Sequence, residues 1–304
     1  MGKKLLLQLL NVLGLVMVLG TNYAANAVPL NNLTTGEVSD FYPNLFTPAG
    51  VTFAIWGLIY ILLLGFCLYQ IRDWFTSRQK EMPYLYAIGY LFFVSCLLNS
   101  AWIFAWHYLQ PFLSLLIIVA LLLVLIKIYL NLRVGKEAVV FSFSSLHPPG
   151  EGGDLSASEG PSTEFSSKVT PASPKASPAV SFWEMLLVQL PFRLYLGWII
   201  VATLANTTAL LVHLEWDGWG MSEAFWTLVL IGAATIITLA FLKLHRDLAV
   251  AMVSLWALLG IIIKRLETDP VVWPVVIGAM AAMVIIAVVA AFNYPRAWKR
   301  YLSS

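Results

Sequence analysis

The chain contains few charged residues for its length. Only 11% of its 304 residues are Asp, Glu, Lys or Arg, whereas 60% are hydrophobic. In an average soluble domain about a quarter of the residues are charged. This composition therefore excludes an ordinary soluble domain. Because the apolar segments are too long for a soluble core, they predict an integral membrane protein that contacts the lipid bilayer.

Cysteine and histidine are also rare, with two and four copies. Cys67 and Cys96 lie inside apolar segments, without a C-x-x-C spacing or a nearby histidine. We therefore expect buried free thiols rather than a disulfide or a metal site. The sequence has no nucleophile elbow, no glycine-rich phosphate loop and no paired buried carboxylates. These absences predict a protein that is not an enzyme, requires no cofactor and has no nucleic-acid partner.

Eight apolar segments alternate with more polar loops. Each is close to the ~20 residues that a helix needs to cross the hydrocarbon layer. They cover residues 5–22, 47–70, 84–107, 112–132, 187–213, 222–243, 247–263 and 272–293. The predicted fold class is thus an all-α integral membrane protein, a bundle of about eight transmembrane helices. Residues 137–181 differ from this pattern, since they are rich in Ser, Pro and Gly and predict a disordered cytoplasmic loop.

Lysine and arginine are confined to alternate loops. The loops 23–46, 108–111 and 214–221 contain neither residue. By the positive-inside rule these loops face outward and both termini are cytoplasmic, as expected for a multi-pass protein of a bacterial plasma membrane. Only Lys264 and Arg265 break the alternation.

The first apolar segment allows two interpretations. Lys3 and Lys4 precede it, and the small residues Ala25 and Ala27 follow it. This arrangement fits a transmembrane helix, and it also fits a cleavable signal peptide. Cleavage would leave seven spans without changing the orientation of the rest.

Three of the apolar segments carry aromatic and amide side chains at helical spacing. They are Trp56 and Tyr60 in the second, Asn99, Trp102 and Trp106 in the third, and Tyr195, Trp198, Ala202 and Asn206 in the fifth. Steps of three, four and seven residues place each set on one face of its helix. With a rise of 1.5 Å per residue, Trp56, Asn99 and Asn206 all fall about 10–12 Å below the outer helix ends.

Asparagine finds no hydrogen-bond partner in lipid, so these faces should point toward protein or a polar cavity. Two interpretations stay open at this point. The asparagines either join helices to one another, or they help line a ligand pocket among the aromatic rings. No ionisable residue falls near the middle of a span, which argues against an ion-coupled pump but not against facilitated passage of an apolar ligand.

These motifs resemble those of the TspO/MBR family, the tryptophan-rich sensory or translocator proteins. The matching motifs are Pro48 followed by Trp56-Gly57-Leu58-Ile59-Tyr60, then Leu98-Asn99-Ser100-Ala101-Trp102, then Tyr195, Trp198, Ala202 and Asn206 in register. The resemblance assigns residues 1–136 and 182–213 to a five-helix core and 214–304 to three additional helices with a short basic tail. The chain departs from the family pattern at Pro48-Ala49-Gly50, at Phe53 and at Leu194.

The resemblance implies binding of a tetrapyrrole such as haem or protoporphyrin, or of a sterol-like molecule, commonly by a homodimer. The expected ligand-binding residues are Trp56, Tyr60, Asn99, Trp102, Tyr195, Trp198, Ala202 and Asn206. Among them, Trp56 and Trp198 are expected to stack on the ligand, and no histidine is placed to ligate haem iron. The leading functional hypothesis is a sensor or regulator. A permease for lipophilic substrates and a tetrapyrrole-degrading membrane enzyme are the alternatives.

Overall fold

The structure is a computed structural model. It describes residues 2–28, 30–75, 81–132, 134, 139–140 and 180–301. For residues 294–301 it describes the backbone only. The predicted loop 137–181 therefore lies outside the described residues, except for 139–140 and 180–181. Those two short stretches form a parallel pair of strands, β1 (Val139–Val140) and β2 (Val180–Ser181).

The rest of the described chain is helical. The α-helices are α1 (Lys3–Ala27), α2 (Thr35–Asp40), α3 (Ile55–Gln70), α4 (Pro83–Ile88), α5 (Leu91–His107), α6 (Pro111–Asn131), α7 (Phe182–Glu184), α8 (Leu190–His213), α9 (Glu223–Leu244), α10 (Leu248–Leu266) and α11 (Trp273–Tyr301). A 3₁₀ turn (Gly50–Ala54) leads into α3, and a π-helical turn (Met185–Gln189) joins α7 to α8.

Among the described residues, seven helical stretches are long and apolar enough to cross a membrane. They are Lys3–Ala27, Gly50–Gln70, Pro111–Asn131, Phe182–His213, Glu223–Leu244, Leu248–Leu266 and Trp273–Asn293. This confirms the predicted all-α multi-pass fold. The predicted span 84–107 differs, because it is broken into α4 and the 17-residue α5. Gly89 lies at the break with a φ of +56°, a conformation that glycine adopts without steric cost.

The helices pack in two groups. In the first, α5 packs between α1 and α6, and α8 contacts both α3 and α6. In the second, α9, α10 and α11 pack against one another. Each group encloses its own cluster of buried apolar side chains. Helix α10 joins the two groups, because it also packs along α8.

Close backbone approach makes the junction between α8 and α10 possible. A Cβ atom added at Gly197 would lie 3.3 Å from the Cα atom of Val250 and 3.1 Å from Cβ of Val253. Any larger side chain at this position would therefore push the two helices apart.

A buried ion pair also joins α8 and α10 near the first residues of both helices. The carboxylate of Asp247 is fully buried and accepts hydrogen bonds from Nε and Nη2 of Arg193 at 3.0 and 2.9 Å. It also accepts one from the Tyr129 hydroxyl at 2.9 Å, and it caps α10 by accepting from the backbone N–H groups of Ala249 and Val250. One carboxylate thus connects α6, α8 and α10, and its charge is compensated by a bidentate arginine.

Helix α10 also holds the segment that leads into α3. The backbone N–H of Ala49 donates to the carbonyl of Gly260 at 2.9 Å, and the Trp256 indole donates to the carbonyl of Thr52 at 2.9 Å. A Cβ atom added at Gly260 would lie only 2.0 Å from Oγ1 of Thr52. Residues 48–54, which lead into α3, are called the entrance segment below. Its position depends on α10.

Candidate functional site

The three aromatic faces meet around Trp56. The Trp56 ring lies 5.8 Å from Tyr195, 6.2 Å from Trp198 and 6.4 Å from Trp102, measured between ring centroids. Tyr60, one helical turn further along α3, stacks on Trp56 at 5.4 Å with an interplanar angle of 15°. Rings from α3, α5 and α8 therefore form one continuous cluster, which we call the aromatic slot.

Asn99 lies at the base of the slot and joins three helices. Its Nδ2 donates to the Tyr195 hydroxyl at 2.8 Å, and its Oδ1 accepts from Nδ2 of Asn22 at 3.3 Å. The residue is fully buried. Asn99 thus connects α5 to α8 and α1, and it fixes the orientation of the Tyr195 ring.

Asn206 plays a similar part nearer the loop between α5 and α6. Its Oδ1 accepts from the Trp102 indole at 3.3 Å and from the Ser114 hydroxyl, and its Nδ2 donates to the Ala202 carbonyl at 3.1 Å. These bonds link α5, α6 and α8. Both amides therefore hold neighbouring helices together while they lie beside the aromatic rings, so the two interpretations of the sequence are compatible.

Two polar atoms of the slot have no hydrogen-bond partner. The indole N–H of Trp198 and the hydroxyl of Tyr60 are buried, and neither makes a hydrogen bond of ordinary geometry to a residue that the structure describes, although the Asn99 amide lies close to the Tyr60 hydroxyl. Most buried donors in proteins are paired with protein or water, and an unpaired one needs an explanation. These two atoms are where a polar group of a ligand would gain a partner.

The slot is almost closed in this structure. It encloses a cavity of about 30 Å³, enough for one water molecule and far below the several hundred Å³ of a usual ligand pocket. The cavity is lined by Ser39, Pro48, Phe53, Trp56, Trp102, Trp106, Trp198, Val201, Ala202, Ala205 and Asn206. Five of the eight expected ligand residues therefore form its wall, while Tyr60, Asn99 and Tyr195 lie outside the cavity wall.

The entrance segment closes one side of the cavity. Pro48 and Phe53 both line it, and the Phe53 ring packs edge-on against Trp198 at 5.9 Å and 83°. The sequence motifs did not identify Phe53 as a site residue. Its spacing of three residues from Trp56 was the available signal, because residues i and i+3 share a helical face.

Metal ligation has no support among the described residues, which contain no cluster of three or more His, Cys, Asp or Glu side chains suited to a metal ion. His107 is fully buried, with Nδ1 2.8 Å from the Ile103 carbonyl oxygen. It is not among the residues that line the cavity. The arrangement can hold an apolar molecule by ring contacts, but it offers no histidine to an iron atom there.

The fold and the slot together define a multi-pass helical membrane protein with an internal, aromatic-lined site. A comparison with protein-family models identifies it further. The family model described as TSPO-like protein matches residues 8–292, and the chain belongs to that family. This confirms the TspO resemblance. The matched range also includes α9, α10 and the first part of α11, so it extends beyond the five helices on which the motifs lie. No curated protein and no solved structure matched the chain.

Proposed function

We propose that this TSPO-like protein binds a flat, mostly apolar ligand in the aromatic slot and acts as a sensor or regulator. A tetrapyrrole such as protoporphyrin is the first candidate, and a sterol-like molecule is the second. The observation that carries the proposal is the convergence of Trp56, Trp102 and Trp198 around two buried, unpaired donors. Flat aromatic walls with a few polar atoms suit such ligands.

Binding requires the slot to open, because about 30 Å³ cannot hold a tetrapyrrole. Two hydrogen bonds attach the entrance segment to α10. Each such bond contributes about 1 kcal/mol net. Displacing Phe53 from Trp198 would expose both the Trp198 ring and its unpaired N–H. The same displacement would change the contacts of α10. The closed, ligand-free form and the open, ligand-bound form would then be the two states of a sensor.

Protoporphyrin titration tests the proposal. We expect saturable quenching of tryptophan fluorescence in the purified full-length chain. Trp198→Phe and Asn99→Leu should each weaken the apparent affinity roughly tenfold, since each removes a ring contact or disturbs the Tyr195 orientation. Trp273→Phe is the matched control, because Trp273 is exposed at the start of α11, away from the slot.

Two results would count against the proposal. One is the absence of saturable quenching by the wild-type chain. The other is an equal loss of affinity in Trp273→Phe and Trp198→Phe, which would mean that porphyrin binds the surface rather than the slot. A circular dichroism spectrum of each variant separates lost binding from lost fold.

The second candidate function is a permease for lipophilic or porphyrin substrates. It is favoured by the contacts of α10 with the entrance segment, because helices outside the five-helix core then help to form the route. Flux of porphyrin into sealed vesicles separates the two functions, since a sensor binds without net transfer. A tetrapyrrole-degrading enzyme is the third alternative, and it requires product formation under light that the Trp198→Phe variant lacks. A homodimer remains a proposal that native mass spectrometry tests.

A further inference from the structure

Arg265 is a buried cation whose side chain makes no hydrogen bond to the described residues. It lies in the last turn of α10, only 5% of its surface is exposed, and its Nε is buried without a hydrogen-bond partner. Within the described part of the chain its guanidinium makes no hydrogen bond and no ion pair, whereas the adjacent Lys264 pairs with Asp40. Burial of a charge without hydrogen bonds is costly, so this position needs a reason.

The guanidinium faces a cavity. This cavity has a volume of about 340 Å³ and is lined by Asp40, Glu223, Lys264 and Arg265 together with polar residues such as Thr47 and Thr268. Asp40 is already paired with Lys264. Glu223, exposed at the start of α9, attracts the Arg265 guanidinium electrostatically, as Asp40 does, but neither carboxylate is hydrogen-bonded to it. Arg265 therefore has hydrogen-bond donors available to a molecule inside the cavity.

A second, apolar cavity adjoins the first. It has a volume of about 290 Å³ and shares Asn44, Leu45 and Glu223 with the polar cavity. Trp216 and Trp226, whose ring centroids are 5.0 Å apart, form part of its wall, with Leu211 and Leu230. Tryptophans at the outer ends of membrane helices commonly serve as interfacial anchors. Here two of them also enclose space beside a buried arginine.

We propose that these two adjoining cavities bind an amphipathic molecule that carries one oxyanion group. Its carboxylate or phosphate pairs with the Arg265 guanidinium, whose planar donors match two oxygen atoms at once. Its apolar part fills the cavity beside Trp216 and Trp226. This site goes beyond the proposed function, because none of the eight expected slot residues lines either cavity.

The position of Arg265 supports an oxyanion from the outer side. Lys264 and Arg265 are the two cations that break the charge alternation, and they lie at the helix end that is predicted to face outward. Lys264 has its own carboxylate in Asp40. Arg265 has no such direct ion pair, so its donors are the ones that an acidic ligand would engage.

A fluorescent fatty acid tests the proposal. The full-length protein in nanodiscs of neutral phosphatidylcholine is titrated with dansylaminoundecanoic acid and, separately, with its methyl ester. Dansyl emission after tryptophan excitation reports binding, and empty nanodiscs give the background. We expect the acid to bind at least about tenfold more tightly than the ester, since only the acid forms a charged hydrogen bond.

Two variants test whether the preference for the acid over the ester depends on Arg265. Arg265→Gln should abolish the difference between acid and ester, whereas Lys243→Gln, an exposed cation near the opposite end of α9, should keep it. Loss of fold is checked by the melting temperature, which Arg265→Gln is not expected to lower, because it removes a buried charge that makes no direct ion pair. Equal binding of acid and ester to the wild type, or a preference that survives in Arg265→Gln, would overturn the proposal.

Nanodiscs that contain anionic phosphatidylglycerol identify the natural source of the oxyanion. Weaker acid binding to the wild type in these nanodiscs indicates a lipid headgroup, and unchanged binding indicates a free amphiphile. Either result supports an oxyanion site. Porphyrin quenching is recorded on the same Arg265→Gln sample and should equal that of the wild type, so failure at one site is distinguishable from failure at the other.

Discussion

Individual polar residues in this protein act mainly between helices. Asn99, Asn206 and Asp247 are buried, and each accepts or donates hydrogen bonds to at least one other helix. In a bilayer such bonds cannot be exchanged for bonds to water, and an average one contributes somewhat less than 1 kcal/mol. Trp198 and Tyr60 differ from these residues, because their buried polar atoms are unpaired. The contrast separates residues that join helices from residues whose polar atoms would be available to the proposed ligand.

Asp247 provides a prediction at this scale. Asp247→Asn keeps the shape of the side chain but leaves the Arg193 guanidinium without its anion. Breaking one side of a buried ion pair typically costs about 3–5 kcal/mol. We therefore expect a large drop in the melting temperature of the detergent-solubilised protein. Glu267→Gln, an exposed carboxylate at the other end of α10, should leave the melting temperature nearly unchanged.

A similar small effect of both substitutions would contradict the role of Asp247. It would mean that water or lipid compensates Arg193 when the carboxylate is removed. A double variant in which Arg193 is also replaced should recover part of the loss, since no unpaired charge then remains.

At the scale of elements, helix positions follow from the sequence more directly than helix contacts do. The predicted spans coincide with the observed helices to within a few residues at most ends, because a membrane span is a local property of hydropathy and length. The break at Gly89 within the third span was not predicted. One glycine does not by itself interrupt an apolar pattern, and the backbone conformation at that point depends on packing.

The candidate site was predictable in part for the same reason. The faces of α3, α5 and α8 follow from helical spacing, which is local. The closure by Pro48 and Phe53 depends on contacts such as that between Thr52 and Trp256, which are 204 residues apart. The pairing of Arg193 with Asp247 spans 54 residues. No local pattern encodes such distant partners. The sequence therefore predicted the helix faces that line the aromatic slot, but not its closure by the entrance segment.

Gly260 provides a prediction at the element scale. The methyl group of Gly260→Ala would lie 2.0 Å from Oγ1 of Thr52 and 3.0 Å from Cβ of Pro48. The entrance segment must then shift away from α10, and we expect a loss of about 1–3 kcal/mol of stability from overpacking. Gly232→Ala in α9 is the matched control, because nothing lies within 4 Å of its added Cβ.

Thermal unfolding of the two variants checks this expectation. Gly232→Ala should be neutral or stabilising by up to about 1 kcal/mol, since alanine favours a helix over glycine. If the two variants have equal melting temperatures, the contact between α10 and the entrance segment does not hold that segment in place.

At the scale of the whole molecule, the additional helices belong to the region that the family shares. The family match includes α9 and α10, and α10 contacts both α8 and the entrance segment. The slot, the entrance segment and the two cavities near Arg265 all lie toward one end of the bundle, which the charge pattern predicts to be the outer one. A ligand that moved the entrance segment would therefore also change the surroundings of α10.

The exposed apolar surface of the bundle fits this arrangement. The outward sides of α9 and α11 carry large exposed apolar residues such as Ile236, Ile277 and Val284. Such a surface contacts lipid in a membrane protein. The second helix group thus covers one flank of the first group and presents its own apolar surface to the bilayer.

The most direct test of the central claim is a crystal structure of the full chain with protoporphyrin bound. The account predicts a planar ligand in contact with Trp56 and Trp198, with Phe53 displaced from the Trp198 ring and the Trp198 N–H paired. A ligand located elsewhere, while Phe53 still packs on Trp198 as in the ligand-free chain, would contradict it.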